Sequence, residues 1–197
     1  MPEFVHSSTL TRRYEEALTY TLRLHADQAR KVSGTPYIAH LLAVSSLVLE
    51  DGGDEDEAIA ALLHDAIEDQ GGQKTKEEIG ERFGGRVSTI VEACSDAERI
   101  PKPPWRERKE AFIASLQSAP VSVQRVVAAD KLHNVRSILR DYQRSGETIW
   151  QHFTGGREGT LWYYRSVTDV LIELDGTPLA QELDRVVTRL ENTVRQA

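Results

Sequence analysis

Three stretches of the chain place metal-type ligands on surfaces that otherwise read as buried. The first is His40, beside Ile38, Leu41 and Val44. An imidazole there serves either as a hydrogen-bonded core group or as a ligand. The second stretch runs from Ala60 to Asp69, where His64, Asp65, Glu68 and Asp69 follow a strongly apolar turn. At helical spacing these four share one polar patch. Carboxylates packed so closely repel by a few tenths of a kcal/mol per exposed pair, and by more when buried. A divalent cation relieves that repulsion. A solvated helix end is the alternative, but acidic side chains suit the negative end of a helix dipole badly. The third is Asp130, which follows Val126-Val127-Ala128-Ala129 in mid-helix, with Val123, Val126 and Val127 on its own face. A carboxylate there is costly to bury unpaired, so it needs a cation, either a metal or an Arg or Lys from another helix. Asn134 and Ser137 continue the stripe of Asp130.

His40, His64, Asp65 and Asp130 together offer two imidazoles and two carboxylates from three separate segments. Such a set suits one divalent metal that keeps positions open for water and a phosphate oxygen. The mixed nitrogen and oxygen donors suit Mn²⁺, Fe²⁺ or Zn²⁺, and spacing does not choose among them.

The elements that must position these groups are helical. Tyr14, Ala17, Leu18, Thr21, Leu22 and His25 recur at three- and four-residue steps, which predicts an amphipathic first helix of about five turns. Val32–Pro36 is a breaker, and Pro36 fits the first turn of a second helix that runs to Glu50. After Asp51-Gly52-Gly53-Asp54, a third helix is expected to continue through His64 and end near Asp69. Thr75 with Glu78 reads as a capping box for a short helix, Lys76–Phe83. Further helices are expected over Val87–Ala97, Trp105–Gln117, Val121–Arg144, Gly159–Leu174 and Leu179–Val194. No segment alternates with period two between turns, so the fold class is all-α. With no repeat or linker, one domain over residues 1–197 is the plain organisation.

Composition narrows the partners. The 197 residues are 40% hydrophobic and 28% charged, enough for an ordinary core and against global disorder. A net charge of −7 disfavours nonspecific contact with nucleic acid or an anionic membrane. A small anionic ligand held by local Arg, Lys or a metal stays compatible with it. The single cysteine, Cys94, excludes an intramolecular disulfide and a zinc–cysteine cluster, and reads as a small buried hydrophobe. No run approaches the roughly 18 apolar residues of a membrane span, and Met1–Leu10 lacks a signal-peptide core. A reducing cytoplasm is the expected setting. Trp105, Trp150 and Trp162 read as packing residues, and Tyr163-Tyr164 as packing or as a stacking surface for a base.

The order His40, His64-Asp65, Asp130 resembles the signature of the HD-domain metal-dependent phosphohydrolases. The longer blocks Arg30–His40, Ala61–Asp69 and Ala129–Arg136 resemble the hydrolase domain of RelA/SpoT-type proteins. They are especially similar to the stand-alone small alarmone hydrolases, best over residues 15–140. That resemblance implies a helical HD bundle holding one metal, usually manganese, through the residues matching His40, His64, Asp65 and Asp130. It implies that Glu68 and Asp69 activate or orient water. It further implies that Arg30, Lys31 and Ser33 contact a nucleotide, with Asn134 and Ser137 by its sugar or base. The implied reaction removes pyrophosphate from the 3′ position of guanosine tetra- or pentaphosphate. Arg30, Lys31 and Arg136 are expected to offset diphosphate charge. Two departures stand out: Leu41 replaces the usual Pro after the first metal histidine, and Trp162-Tyr163-Tyr164-Arg165 diverges. Other readings are an HD phosphohydrolase acting on a different nucleotide, and a noncatalytic nucleotide sensor. An intact Glu68-Asp69 pair speaks against the sensor.

Overall fold

The structure, a computed structural model, describes residues 9–95, 103–174 and 176–196. These form ten α-helices and one 3-10 helix, with no named strand among the described residues. The helices are α1 Arg12–Leu24, α2 Ile38–Glu50, α3 Glu55–Leu63, α4 Ala66–Asp69, α5 Gln73–Phe83, α6 Gly85–Cys94, α7 Trp105–Leu116, α8 Val121–Ser145, α9 Gly156–Leu174 and α10 Pro178–Arg195. The 3-10 helix, Gly146–His152, follows α8 directly and has no counterpart in the periodicity. An isolated bridge joins Ala29 to Pro36 and closes the loop ahead of α2.

α8 is the spine. It is 25 residues long and packs against α2, α3, α6, α9 and α10. α3 is the innermost segment, with every side chain from Glu57 to Leu63 buried. A helix that is apolar nearly all round has no solvent face to present, and so belongs in the core. Its start is fixed by a capping box: Glu57 N donates to Asp54 Oδ1 at 3.0 Å, and Asp54 N donates to Glu57 Oε2 at 2.7 Å. Glu57 is buried beside Arg125 of α8, whose Nη1 donates to Glu57 Oε1 at 2.6 Å while its Nε reaches Asp51 at 3.1 Å. One guanidinium thus ties the spine to both sides of the α2–α3 turn.

Several expectations are corrected. α1 spans 13 residues, fewer than four turns rather than five, because His25 leaves helical geometry at φ −108°, ψ 20°. Pro36 lies in the bridge before α2 rather than in its first turn. No capping box forms at Thr75 and Glu78. α5 starts earlier, at Gln73, after Gly72 turns the chain at φ 60°, and Thr75 Oγ1 donates back to Gln70 O at 2.8 Å. The third helix does not run to Asp69; it stops at Leu63, and α4 restarts after Asp65. The end of the expected Val87–Ala97 helix, at residues 96–97, lies outside the described residues.

Candidate metal centre and adjoining cleft

The break between α3 and α4 is what makes the centre. Consecutive residues of a straight helix point about 100° apart, so His64 and Asp65 would diverge. Here Asp65 takes φ −96°, ψ −3°, the sparsely populated bridge region. The side chains of His64 and Asp65 then turn to one point, with His64 Nε2 3.1 Å from Asp65 Oδ2. Glu68 and Asp69 close α4, a single turn of four residues whose first turn is also its last.

His40 arrives from α2 and Asp130 from the middle of α8. His40 Nε2 is 3.7 Å from Asp65 Oδ2 and 3.3 Å from Asp130 Oδ1, and His64 Nε2 is 3.5 Å from Asp130 Oδ1. Donors bonded to a common metal at about 2.1 Å sit about 3 Å apart when adjacent, close to these separations. Both histidines are buried, at 1% and 2% exposure, and neither Nε2 has a hydrogen-bond partner. Buried nitrogens are normally satisfied, so two partnerless ring nitrogens facing two carboxylates fit a cation between them. His40, His64 and Asp65 each offer a ligand atom within 4.8 Å of the others.

Each member is held by a neighbour. His64 Nδ1 lies 2.8 Å from Ala61 O, and His40 Nδ1 lies 2.8 Å from His133 Nδ1. Tyr37 OH donates to Asp65 Oδ2 at 2.5 Å. Lys131 Nζ donates to Asp130 Oδ2 at 2.5 Å, and Asn134 Nδ2 donates to the Oδ1 that faces the histidines. The Lys131 ammonium also lies near the rings of Phe112 and Tyr163.

The charges are strongly coupled. Burial opposes ionisation of Asp130, but Lys131 and then the two histidines outweigh it and hold its pKa well below the carboxylate range. Asp65 is lowered in the same way, chiefly by His64 against its own burial. Burial likewise opposes a charge on His64, yet Asp65 and Asp130 raise its pKa well above the ordinary histidine value. For His40 burial wins, and the pKa falls. Burial, then the Asp65 carboxylate, raises Tyr37, which keeps its phenol protonated as a donor. Burial and the neighbouring His40 and Arg30 push His133 down to about 4.

Two adjoining cavities lie beside this cluster, the first reaching it through Tyr37 and Asn134, which bond to Asp65 and Asp130. One, of about 200 Å³, is lined among others by Arg30, Lys31, Tyr37, Asn134 and Ser137. The other, of about 220 Å³, shares Lys31, Val32, Phe153 and Tyr164 and extends to Trp105 and Lys109. The six-membered ring of Trp105 lies against Gly155, where an added Cβ would fall 2.6 Å from the indole. That contact holds α7 against the loop that enters α9.

The remaining sequence-stretch residues distribute unevenly. Glu68 is half-buried on α4, and exposed Asp69 accepts from Gln28 Nε2 at 2.7 Å. Ser33 is exposed and donates to Thr35 Oγ1. Arg136 is turned away from the cleft: it is exposed and pairs with Glu182 of α10 at 3.4 Å. Arg136 is two positions on from Asn134, which puts them on different faces of α8. Cys94 is half-buried, and burial then Asp130 raise its thiol pKa.

The family profile described as "HD domain" matches residues 17–161, most of the chain and all four ligand candidates. The chain belongs to the HD domain family. Within it, this HD domain is 38% identical over 128 residues to the guanosine-3′,5′-bis(diphosphate) 3′-pyrophosphohydrolase MESH1 of Xenopus tropicalis, covering 64% of this chain and 69% of that one. To the MESH1 of Mus musculus it is 32% identical over 178 residues, covering 89% and 90%. Among solved structures, that of a metazoan ortholog of SpoT that hydrolyses ppGpp superimposes with a TM-score of 0.75 at 27% identity, covering 91% of this chain and 96% of that one. The HD dipeptide of this HD domain is His64-Asp65, the pair at the α3–α4 break.

Sequence reasoning assigned no role to Tyr37, Lys131, His133 or Gln28. Lys131 follows Asp130 directly, and adjacent helical positions do not normally face each other. Only a buried acid's need for a cation hinted at such a partner.

Proposed function

We propose that this HD domain is a guanosine 3′,5′-bis(diphosphate) 3′-pyrophosphohydrolase that uses one divalent metal, Mn²⁺ in the first instance. The observation that carries the reading is the pair of orphaned, buried Nε2 atoms of His40 and His64 set against Asp65 and Asp130. The similarity to MESH1 proteins along most of the chain supplies the substrate.

His40, His64, Asp65 and Asp130 would hold the ion. When bound, it supplies Lewis acidity toward a phosphoryl oxygen and lowers the pKa of water. Glu68, half-buried one turn beyond His64, accepts the proton of the attacking water. Asp69, fixed through Gln28 to α1's end and to Gln70, keeps that turn in place. Water adds to the phosphorus joined to the ribose 3′-oxygen, the P–O3′ bond breaks, and the oxygen leaves with a proton as the 3′-hydroxyl. Pyrophosphate is the other product. Arg30 and Lys31 offset diphosphate charge, Ser33 contacts the nucleotide from the same loop, and Asn134 and Ser137 meet the sugar or base. Arg136, expected among the phosphate-binding cations, instead pairs with Glu182 and has no part in this reading.

Product analysis tests the reading. Guanosine tetraphosphate with protein and Mn²⁺ is expected to give guanosine diphosphate and pyrophosphate in equal amounts. Release of orthophosphate instead, or turnover of an unrelated nucleotide with none of this substrate, contradicts it.

A further inference from the structure

α8 brings a second ring to the cluster. His133 lies one helical turn beyond Asp130, and its ring centroid is 4.9 Å from that of His40 at an interplanar angle of 37°. The two Nδ1 atoms are 2.8 Å apart, so one donates and the other accepts. The other end of His40 decides which. Its Nε2 is buried, lacks a hydrogen-bond partner and faces Asp65 and Asp130. A neutral imidazole carries one N–H. For Nε2 to offer a lone pair to a cation, the proton sits on Nδ1, and His133 Nδ1 is the acceptor.

His64 meets the same requirement differently. Its Nδ1 points at a backbone carbonyl, Ala61 O, at 2.8 Å, an acceptor that no side-chain substitution removes. The tautomer of His40 depends instead on a side chain.

We propose that His133 is a positioning residue: by accepting from His40 Nδ1–H it fixes the tautomer and ring orientation that present His40 Nε2 to the metal. The inference rests on the metal-site reading above. Hydrogen-bonded partners of metal-bound histidines typically contribute 10–100-fold in metal affinity.

The experiment uses the full chain, stripped of metal and titrated with Mn²⁺ while the electron paramagnetic resonance signal of free Mn²⁺ is followed. His133→Phe keeps a ring and removes the acceptor. His133→Gln returns an acceptor oxygen. The expected result is an affinity roughly 10–100-fold weaker for the Phe variant and largely recovered for the Gln variant. A Phe variant that binds as tightly as wild type, or a Gln variant no tighter than Phe, overturns the inference. Wild-type protein that binds no metal overturns the metal reading itself, a separate outcome. Should the Phe variant not fold, wild-type protein loaded with diamagnetic Zn²⁺ gives the answer. A shared proton with its one-bond ¹H–¹⁵N coupling to His40 Nδ1 and a ¹⁵N–¹⁵N coupling on to His133 Nδ1 supports the assignment, and a proton bonded to His133 Nδ1, or no coupling between the two, overturns it.

Discussion

Asp130 shows how much of the chemistry is settled by single atoms. Lys131 holds one carboxylate oxygen, and Asn134 with the two histidines meets the other. The acid therefore stays ionised in a buried place where it would otherwise take up a proton. His64 is the opposite case. Its pKa is raised, because Asp65 and Asp130 favour the charged ring while no metal is bound. Metal binding needs the neutral ring, so Mn²⁺ binding at pH 7 is expected to release a proton and to weaken as pH falls. Calorimetric titration in two buffers of different ionisation enthalpy measures that release; identical enthalpies would contradict it. Glu68 is separable from the ligands. Glu68→Gln is expected to lower kcat by about 10²–10⁴-fold and to leave Mn²⁺ affinity unchanged. At this scale the sequence was readable wherever a polar residue stood on an apolar stripe, as His40 and Asp130 do. It was silent on Tyr37 and His133, whose roles arise from contacts between segments 28 and 93 residues apart.

The helices themselves follow from periodicity, since apolar spacing and glycine or proline punctuation survive without any tertiary knowledge. The α3–α4 break does not, because no Gly or Pro marks it and helical spacing continues from Ala60 through His64-Asp65 to Ile67. The capping box expected at Thr75 is absent and one forms at Asp54, where the run of Glu55, Asp56 and Glu57 already biases a helix start. Asp54→Ala removes that cap from the most buried helix. A loss of about 1 kcal/mol is expected, seen as a fall of about 2–4 °C in unfolding temperature. An unchanged midpoint would show that packing alone sets the start of α3. Gly155→Ala probes the cleft instead. Its Cβ would displace Trp105 from the wall of the second cavity, and KM is expected to rise more than kcat falls. Equal, unaltered constants in steady-state assays would detach that cavity from substrate binding.

For the whole molecule, the acidic balance and the site's chemistry fit together. A net charge of −7 gives no general attraction for a polyphosphate, so binding depends on the local cations and the metal. Among the described residues, no helix is long and apolar enough to cross a membrane. The centre draws on α2, α3, α4 and α8, so occupying it links segments from across the chain. Ligand binding to the folded state alone stabilises it by about 2.7 kcal/mol at a hundredfold excess over Kd. Mn²⁺ at that level is therefore expected to raise the unfolding temperature by about 5–10 °C, and a chelator to reverse the rise. The most direct measurement is anomalous scattering at the manganese edge from a crystal of the full chain grown with Mn²⁺. The expected result is one peak within bonding distance of His40 Nε2, His64 Nε2, Asp65 and Asp130. A map with no peak among those four groups, collected from crystals in which the protein is saturated with Mn²⁺, would contradict the assignment.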